Sequence, residues 1–210
     1  MNFLTSYHWN EGKPTTSLTL QQVTRQRGRM PIVMACVCEE DPSAGEQDMG
    51  ERFCVQLTNW FHECVLKRCS RTKKPELDAL KAELMQMEET ACFSLAGILC
   101  VGERFLLFYR GKQRICLLNS RFLRPNLKEL SVNTAKSAIV MEEGLLQNKV
   151  GLLFGTESFY RGISGEEIRD CLAVDAIRNE VQVSRRLEEL GRFGEDRWSG
   201  GRAAVLIMTR

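Results

Sequence analysis

Several short, unbroken apolar runs constrain this chain most. Met30 to Cys38, Ala91 to Val101, Val150 to Phe154 and Ala203 to Met208 are almost entirely apolar. Each is too short to cross a membrane and lacks the polar alternation of a strand with one wet face. Such runs read as strands, and Met30 to Cys38 as a central one covered on both faces. Helical periodicity appears between them, in pairs. Phe53, Leu57, Trp60, Phe61 and Cys64 fall on one face of a helix from about Gln47 to Arg68. Leu77, Leu80, Leu84 and Met87 mark a second helix opening near Pro75. A later pair starts at Ser164, where Ser164 and Glu167 have capping-box spacing, and runs again from about Ala176 to Leu190. Helices that come in pairs argue against a doubly wound parallel sheet. The expectation is an α+β chain of 210 residues forming a single domain (1–210), with two packed, mainly antiparallel sheets flanked by helix pairs in an α-β-β-α sandwich.

The connections refine that picture. Residues 1–14 show no period, and Ser17 to Thr24 reads as a half-buried strand. Gly102-Glu103-Arg104 and Arg110-Gly111-Lys112 read as hairpin turns of one antiparallel meander. Phe122 to Glu129 reads as a polar connection, Val132 to Met141 as holding one more strand, and Gly191 to Gly201 as loop. The Arg25–Arg29 tip reads as a solvated hairpin loop.

Composition excludes several classes of function. A formal charge of +2 is too small to point to nucleic acid or a membrane surface, and no apolar run reaches transmembrane length. The first residues lack the basic and apolar regions of a signal peptide. Nine cysteines, an odd number set mostly in apolar runs, behave as buried free thiols of a reducing compartment, so the expected location is the cytoplasm. Cys36 and Cys38 have strand spacing and share a face. A zinc site there with Cys64, Cys69 or His62 would lack the paired spacing that structural sites use. His8 and His62 are the only histidines, which leaves Ser-His-Asp or Cys-His chemistry little to draw on. Nucleotide-binding glycine loops are absent. Arg185, Arg186, Arg192, Arg197 and Arg202 make the end of the chain basic, either as a solvated face or as a phosphate-binding surface.

The last third contains Leu152-Leu-Phe-Gly-Thr-Glu-Ser158, then Ser164-Gly-Glu-Glu-Ile168, then Ser199-Gly-Gly-Arg-Ala-Ala-Val205. The middle contains Arg110-Gly-Lys-Gln-Arg-Ile-Cys-Leu117, and the front has Val33 to Cys38 running into Glu39-Glu-Asp-Pro-Ser-Ala-Gly-Glu46. In element order and in these phrases the chain resembles the metal-dependent serine/threonine phosphatases of the PPM, or 2C, type, in degraded form. That resemblance implies a pair of Mg²⁺ or Mn²⁺ ions between the sheets, held by aspartates at strand ends, with a metal-bound water as nucleophile. The positions that match the family's acids hold Glu11 or Gly12 after the first strand, Glu39 or Glu40 after Cys38, and Glu157 after Gly155-Thr156. Lys112 and Ala203 hold the other two. Glu11, Glu39, Glu40 and Glu157 are thus the candidate metal ligands, and Glu40 and Glu157 the candidate catalytic groups. Ligands are lost at Gly12, Lys112 and Ala203. Glu is one methylene longer than Asp, Ala cannot coordinate, and an ammonium competes with a cation. The resemblance and these losses together imply a catalytically inactive phosphatase-like module. It would need no cofactor and would bind a protein partner, a phosphoprotein or kinase among them. The rival is a divergent, weakly active enzyme using Mg²⁺ or Mn²⁺.

Overall fold

The computed structural model describes residues 2–24, 30–40, 48–67, 77–87, 93–119, 126–133, 138–173, 177–197 and 200–210. Two five-stranded antiparallel sheets pack face to face. One has the order β1-β10-β9-β6-β7 and the other β2-β3-β4-β5-β8. The strands are β1 Phe3–Asn10, β2 Thr16–Val23, β3 Ile32–Glu40, β4 Phe93–Val101, β5 Arg104–Arg110, β6 Lys112–Asn119, β7 Asn126–Asn133, β8 Val140–Leu145, β9 Val150–Gly155 and β10 Arg202–Thr209. The helices are α1 Met49–Trp60, continued by a π-helical stretch Phe61–Lys67, α2 Leu77–Met87, α3 Glu157–Tyr160, α4 Gly165–Cys171 and α5 Glu180–Glu195. The expected α-β-β-α layering is what the chain forms.

Side-chain alternation along the strands divides the interior into three cores. Val33, Ala35 and Val37 of β3 meet Phe154, Ala203, Val205 and Ile207 between the sheets. The intervening Met34, Cys36 and Cys38 pack under α1 and α2, with Phe53, Leu57, Leu80 and Leu84. On the opposite face, Leu153, Ala204 and Leu206 pack under α3, α4 and α5, with Phe159, Ile168 and Leu187. The unbroken apolar runs are therefore strands with two buried faces.

Four connections differ from the sequence reading. Phe3–Asn10, within the stretch that shows no period, form edge strand β1, whose polar Thr5 and Ser6 find hydrogen-bond partners in Gln22 and Ser184. Residues 126–133, read partly as a polar connection, form β7, paired with β6 along its whole length. The additional strand is β8, beginning at Val140. Gly111 does not close a hairpin: β5 and β6 belong to different sheets, and the chain crosses between them there. Gly111 has φ +75°, and a Cβ on it would lie 2.3 Å from Ser94 Oγ, so the crossing requires glycine.

Helix α5 also runs past Gly191 and Gly194 to Glu195, where the sequence predicts a loop. These glycines permit close packing instead of ending the helix. A Cβ on Gly191 would sit 2.4 Å from the His8 ring, and one on Gly194 would sit 2.0 Å from an Arg202 guanidinium nitrogen. Arg202 is fully buried and donates to the carbonyls of Gly191 and Gly194, a cation set against the C-terminal end of the helix. Gly194→Ala gains about 1 kcal/mol of helix propensity but drives a methyl into that guanidinium. The expected net result is a loss of about 1–3 kcal/mol, read as a lower midpoint in urea. Val181→Ala, on the exposed start of the same helix, should change stability by less than about 0.5 kcal/mol.

Candidate functional site

One end of the sandwich gathers the termini of β1, β3 and β9 and the start of β10. The strand parity that builds the three cores decides which side chains reach it. Glu39 continues the inter-sheet row of Val33, Ala35 and Val37, and its Oε2 accepts from the Ser158 amide at 3.2 Å. Glu40 points the opposite way. Its Oε1 accepts from Gly50 N at 2.7 Å and its Oε2 from Asp48 N at 3.2 Å. The N-cap residue Asp48 makes no side-chain cap of its own, so a carboxylate from the neighbouring strand caps α1. Of the two adjacent acids, Glu39 is therefore the one at the inter-sheet end. Glu40, named with Glu157 as a candidate catalytic group, is placed on the helix side.

Glu157 opens the one-turn helix α3 and is exposed. It lies within electrostatic reach of Glu39, as does Arg161. Burial, the largest effect, raises the Glu39 pKa above the ordinary glutamate value; the Ser158 amide opposes the rise and Glu157 adds to it. Thr156 and Ser158 are fully buried beside them. Thr156 Oγ1 accepts from the amides of Phe159 and Ala203, both at 3.2 Å, and lies 2.8 Å from Ser158 Oγ. The Thr156 amide in turn donates to the Ala203 carbonyl at 2.9 Å. A neutral hydroxyl thus pins the end of β9 to the start of β10.

The remaining candidates whose side chains are described do not join this cluster. Ala203 is fully buried in the inter-sheet core, opposite Trp9 in the β1–β10 ladder. Gly12 is pressed against the turn before β10: a Cβ there would lie 2.2 Å from Gly201 N, so no acid fits at that position. Glu11 is exposed and lines a cleft beside β2 and α1. Lys112 opens β6, but its side chain, and Asp41 with the rest of 41–47, lie outside the described residues. Among the described residues, no three His, Cys, Asp or Glu side chains converge in a way that could hold a metal ion. The described part of this donor set does not by itself make a two-metal centre. Cys36, Cys38 and Cys54 do meet under α1, with Sγ separations of 3.9 and 3.8 Å. The third thiol is Cys54, rather than Cys64 or His62; Cys69 lies outside the described residues. All seven described cysteines are free.

Four of the five arginines named in the basic C-terminal region are engaged within the chain. Arg185 and Arg186 pair with Glu189, Arg202 is buried, and Arg197 makes a two-pronged contact with Glu167 at 3.0 and 2.8 Å. Glu167 is the N3 member of the Ser164 capping box, which forms as expected. The Arg197 guanidinium and the Ser164 amide hold its carboxyl well down, to about 2. This anchors the helix that follows the candidate site.

No protein-family model matches the sequence, and no curated protein matches it. Solved structures do. PppA, described as a key regulatory component of T6SS in Pseudomonas aeruginosa, aligns over 100% of this chain and 99% of its own, at 10% identity and TM-score 0.67. The Mycobacterium tuberculosis serine/threonine phosphatase PstP aligns over 100% of both chains at 14% identity and TM-score 0.63. RsbX in complex with magnesium aligns over 98% of this chain and 94% of its own, at 8% identity and TM-score 0.62. The fold is that of the PPM-type serine/threonine phosphatases.

The raised Glu39 pKa has a testable consequence. The folded state holds a proton on Glu39 more tightly than the unfolded chain does. Its contribution to stability is therefore complete below the unfolded glutamate pKa of about 4.3 and is lost as pH rises through the folded value. Glu39→Gln keeps an acceptor for the Ser158 amide and removes the charge. It should raise the thermal midpoint at neutral pH, and the two proteins should converge below about pH 4. Thr156→Val should cost about 1–3 kcal/mol, because two buried amides lose their acceptor.

Proposed function

We propose that this chain is a phosphatase-fold protein that no longer hydrolyses phosphate and acts by binding another protein, a phosphoprotein or kinase in a signalling context. The observation that carries the reading is Ala203. The residue that the resemblance reserves for a carboxylate is a methyl group sealed between the sheets. Gly12, packed against Gly201, and Thr156, which commits its hydroxyl to backbone amides, support it. Among the described residues this end keeps one exposed and one desolvated glutamate, Glu157 and Glu39, short of the aspartate set that the resemblance implies for a pair of dications. Retaining a full acid cluster without the metal would cost more, because unpaired like charges repel in a buried space. PppA, which shares this fold, is a regulatory component, and a fold of this kind serving protein interactions is consistent with that role. The free cysteines favour a reducing compartment, the cytoplasm. No helix among the described residues is long and apolar enough to cross a membrane.

A second reading rests on the mutual proximity of Glu39 and Glu157: a divergent Mg²⁺- or Mn²⁺-dependent phosphatase built on those two acids. Calorimetric titration with Mn²⁺ and a p-nitrophenyl phosphate assay separate the two. The binding-module reading expects no saturable Mn²⁺ uptake up to about 1 mM and no turnover. Saturable uptake together with turnover that disappears in both Glu39→Ala and Glu157→Ala would establish the enzyme.

A further inference from the structure

A cleft of about 830 Å³ runs along the open edge of the sandwich, between α1, β2 and β1. It begins at Thr15 and Thr16, beside the Glu39 end, but neither Glu39 nor Glu157 lines it, and it stands whether or not that end hydrolyses phosphate. Its back wall is β2, the last strand of its sheet. The sequence of β2, Thr-Ser-Leu-Thr-Leu-Gln-Gln-Val, contains no charge and no proline, so it has none of the usual protection against pairing with another strand. By contrast, β8, at the other edge of the same sheet, carries Glu142 and Glu143.

The hydrogen-bonding direction follows from the register. Glu40 N donates to Thr15 O at 3.0 Å, which makes residues 15 and 40 a bonded pair facing each other. Alternate residues of β2 therefore turn their backbone groups away from β3: Thr16, Leu18, Leu20 and Gln22. The two ends of this outward row are clasped to β1. Trp9 Nε1 donates to Thr16 O at 3.0 Å. Gln22 donates through Nε2 to Phe3 O at 3.3 Å and accepts from Thr5 Oγ1 at 2.6 Å. Between the clasps, Leu18 and Leu20 present their amides and carbonyls to the cleft, and among the described residues no other strand pairs with them.

The walls define what could occupy it. Tyr7 and Trp9 on one flank and Val55 on the other are exposed apolar groups, 46–57% accessible. Among the described residues, the charged groups lining the cleft are Glu11 and Glu51, with no lysine or arginine beside them. Carboxylates together with aromatic faces favour guanidinium or ammonium groups. We propose that this edge takes an extended, basic segment of a partner protein, which adds to β2 as a sixth strand by backbone pairing at Leu18 and Leu20. Its arginine or lysine side chains then meet Glu51 on the helix side and Glu11 with the aromatic rings on the β1 side.

The test uses the full chain and two synthetic peptides, one alternating Arg and Thr and one alternating Glu and Thr. Amide NMR titration should show saturable shifts at Leu18 and Leu20 with the basic peptide, and at least about ten-fold weaker binding of the acidic one. Leu18→Pro should abolish binding, because the amide it removes points away from β3 and serves no ladder bond. Glu51→Lys, an exposed substitution that leaves β2 intact if the proline variant does not fold, should weaken binding of the basic peptide by at least about ten-fold. Equal affinity for the two peptides would overturn the proposal. So would shifts confined to other residues, no shift up to millimolar peptide, or self-association that protects the Leu18 and Leu20 amides without peptide, which would make a second copy of the chain the occupant.

Discussion

The structure depends on central strands that must bury both faces at once. β3 serves the inter-sheet core through Val33, Ala35 and Val37, and the helix-covered core through Met34, Cys36 and Cys38. At roughly 25 cal/mol per Å² of apolar surface, no shift of one residue is tolerable, because it would exchange the two rows and turn each into the wrong core. This fixed parity carries through to the end of the strand and sorts two chemically identical neighbours. Glu39 inherits the inter-sheet direction and Glu40 the helix direction. One glutamate becomes a desolvated acid beside Ser158, and the other becomes the cap of α1. Their roles are set by packing several residues away.

The same logic accounts for the character of the site. The space between sheets at this end is shared by β1, β3, β9 and β10, and its inner positions, Ala203, Thr156 and Ser158, are cut off from water. A carboxylate cluster is stable in such a place only with a cation to offset it. This chain instead uses a methyl at Ala203, a backbone contact at Gly12 and a hydroxyl at Thr156. Thr156 holds β9 to β10 through neutral hydrogen bonds, so the strand ends are tied together by the protein itself. No charged group takes part in that tie.

How much of this is legible in the sequence depends on whether a signal is local. The doubly buried strands, the helix pairs and the Ser164–Glu167 capping box are, because composition, period and capping act within a few residues. The edge strand β1 is not: Thr5, Ser6 and His8 face Gln22, Ser184 and Glu195, far along the chain. Gly111 resembles a hairpin turn because its positive φ is the same whether the chain folds back or crosses to the second sheet. Gly191 and Gly194 resemble helix stops, but their function is to admit His8 and Arg202. The identities of the candidate acids can be read, since they follow a motif. Which of Glu39 and Glu40 faces the site depends on which side of β3 the helices cover, and no local pattern carries that.

The edges of the two sheets carry the same logic to the surface. Where sheets end, backbone groups must find water, a side chain or another chain. On the β1–β2 side, Trp9 and Gln22 satisfy two of the outward positions with side-chain hydrogen bonds and hold the two edges at a set separation. The first closes the Thr16 carbonyl of β2 and the second the Phe3 carbonyl of β1, so the two strands are joined on either side of Leu18 and Leu20, which keep a short window of open backbone. A fully charged or proline-bearing β2 would have closed that window. The uncharged strand leaves it open, and among the described residues the charges lining it, Glu11 and Glu51, give it a preferred electrostatic sign.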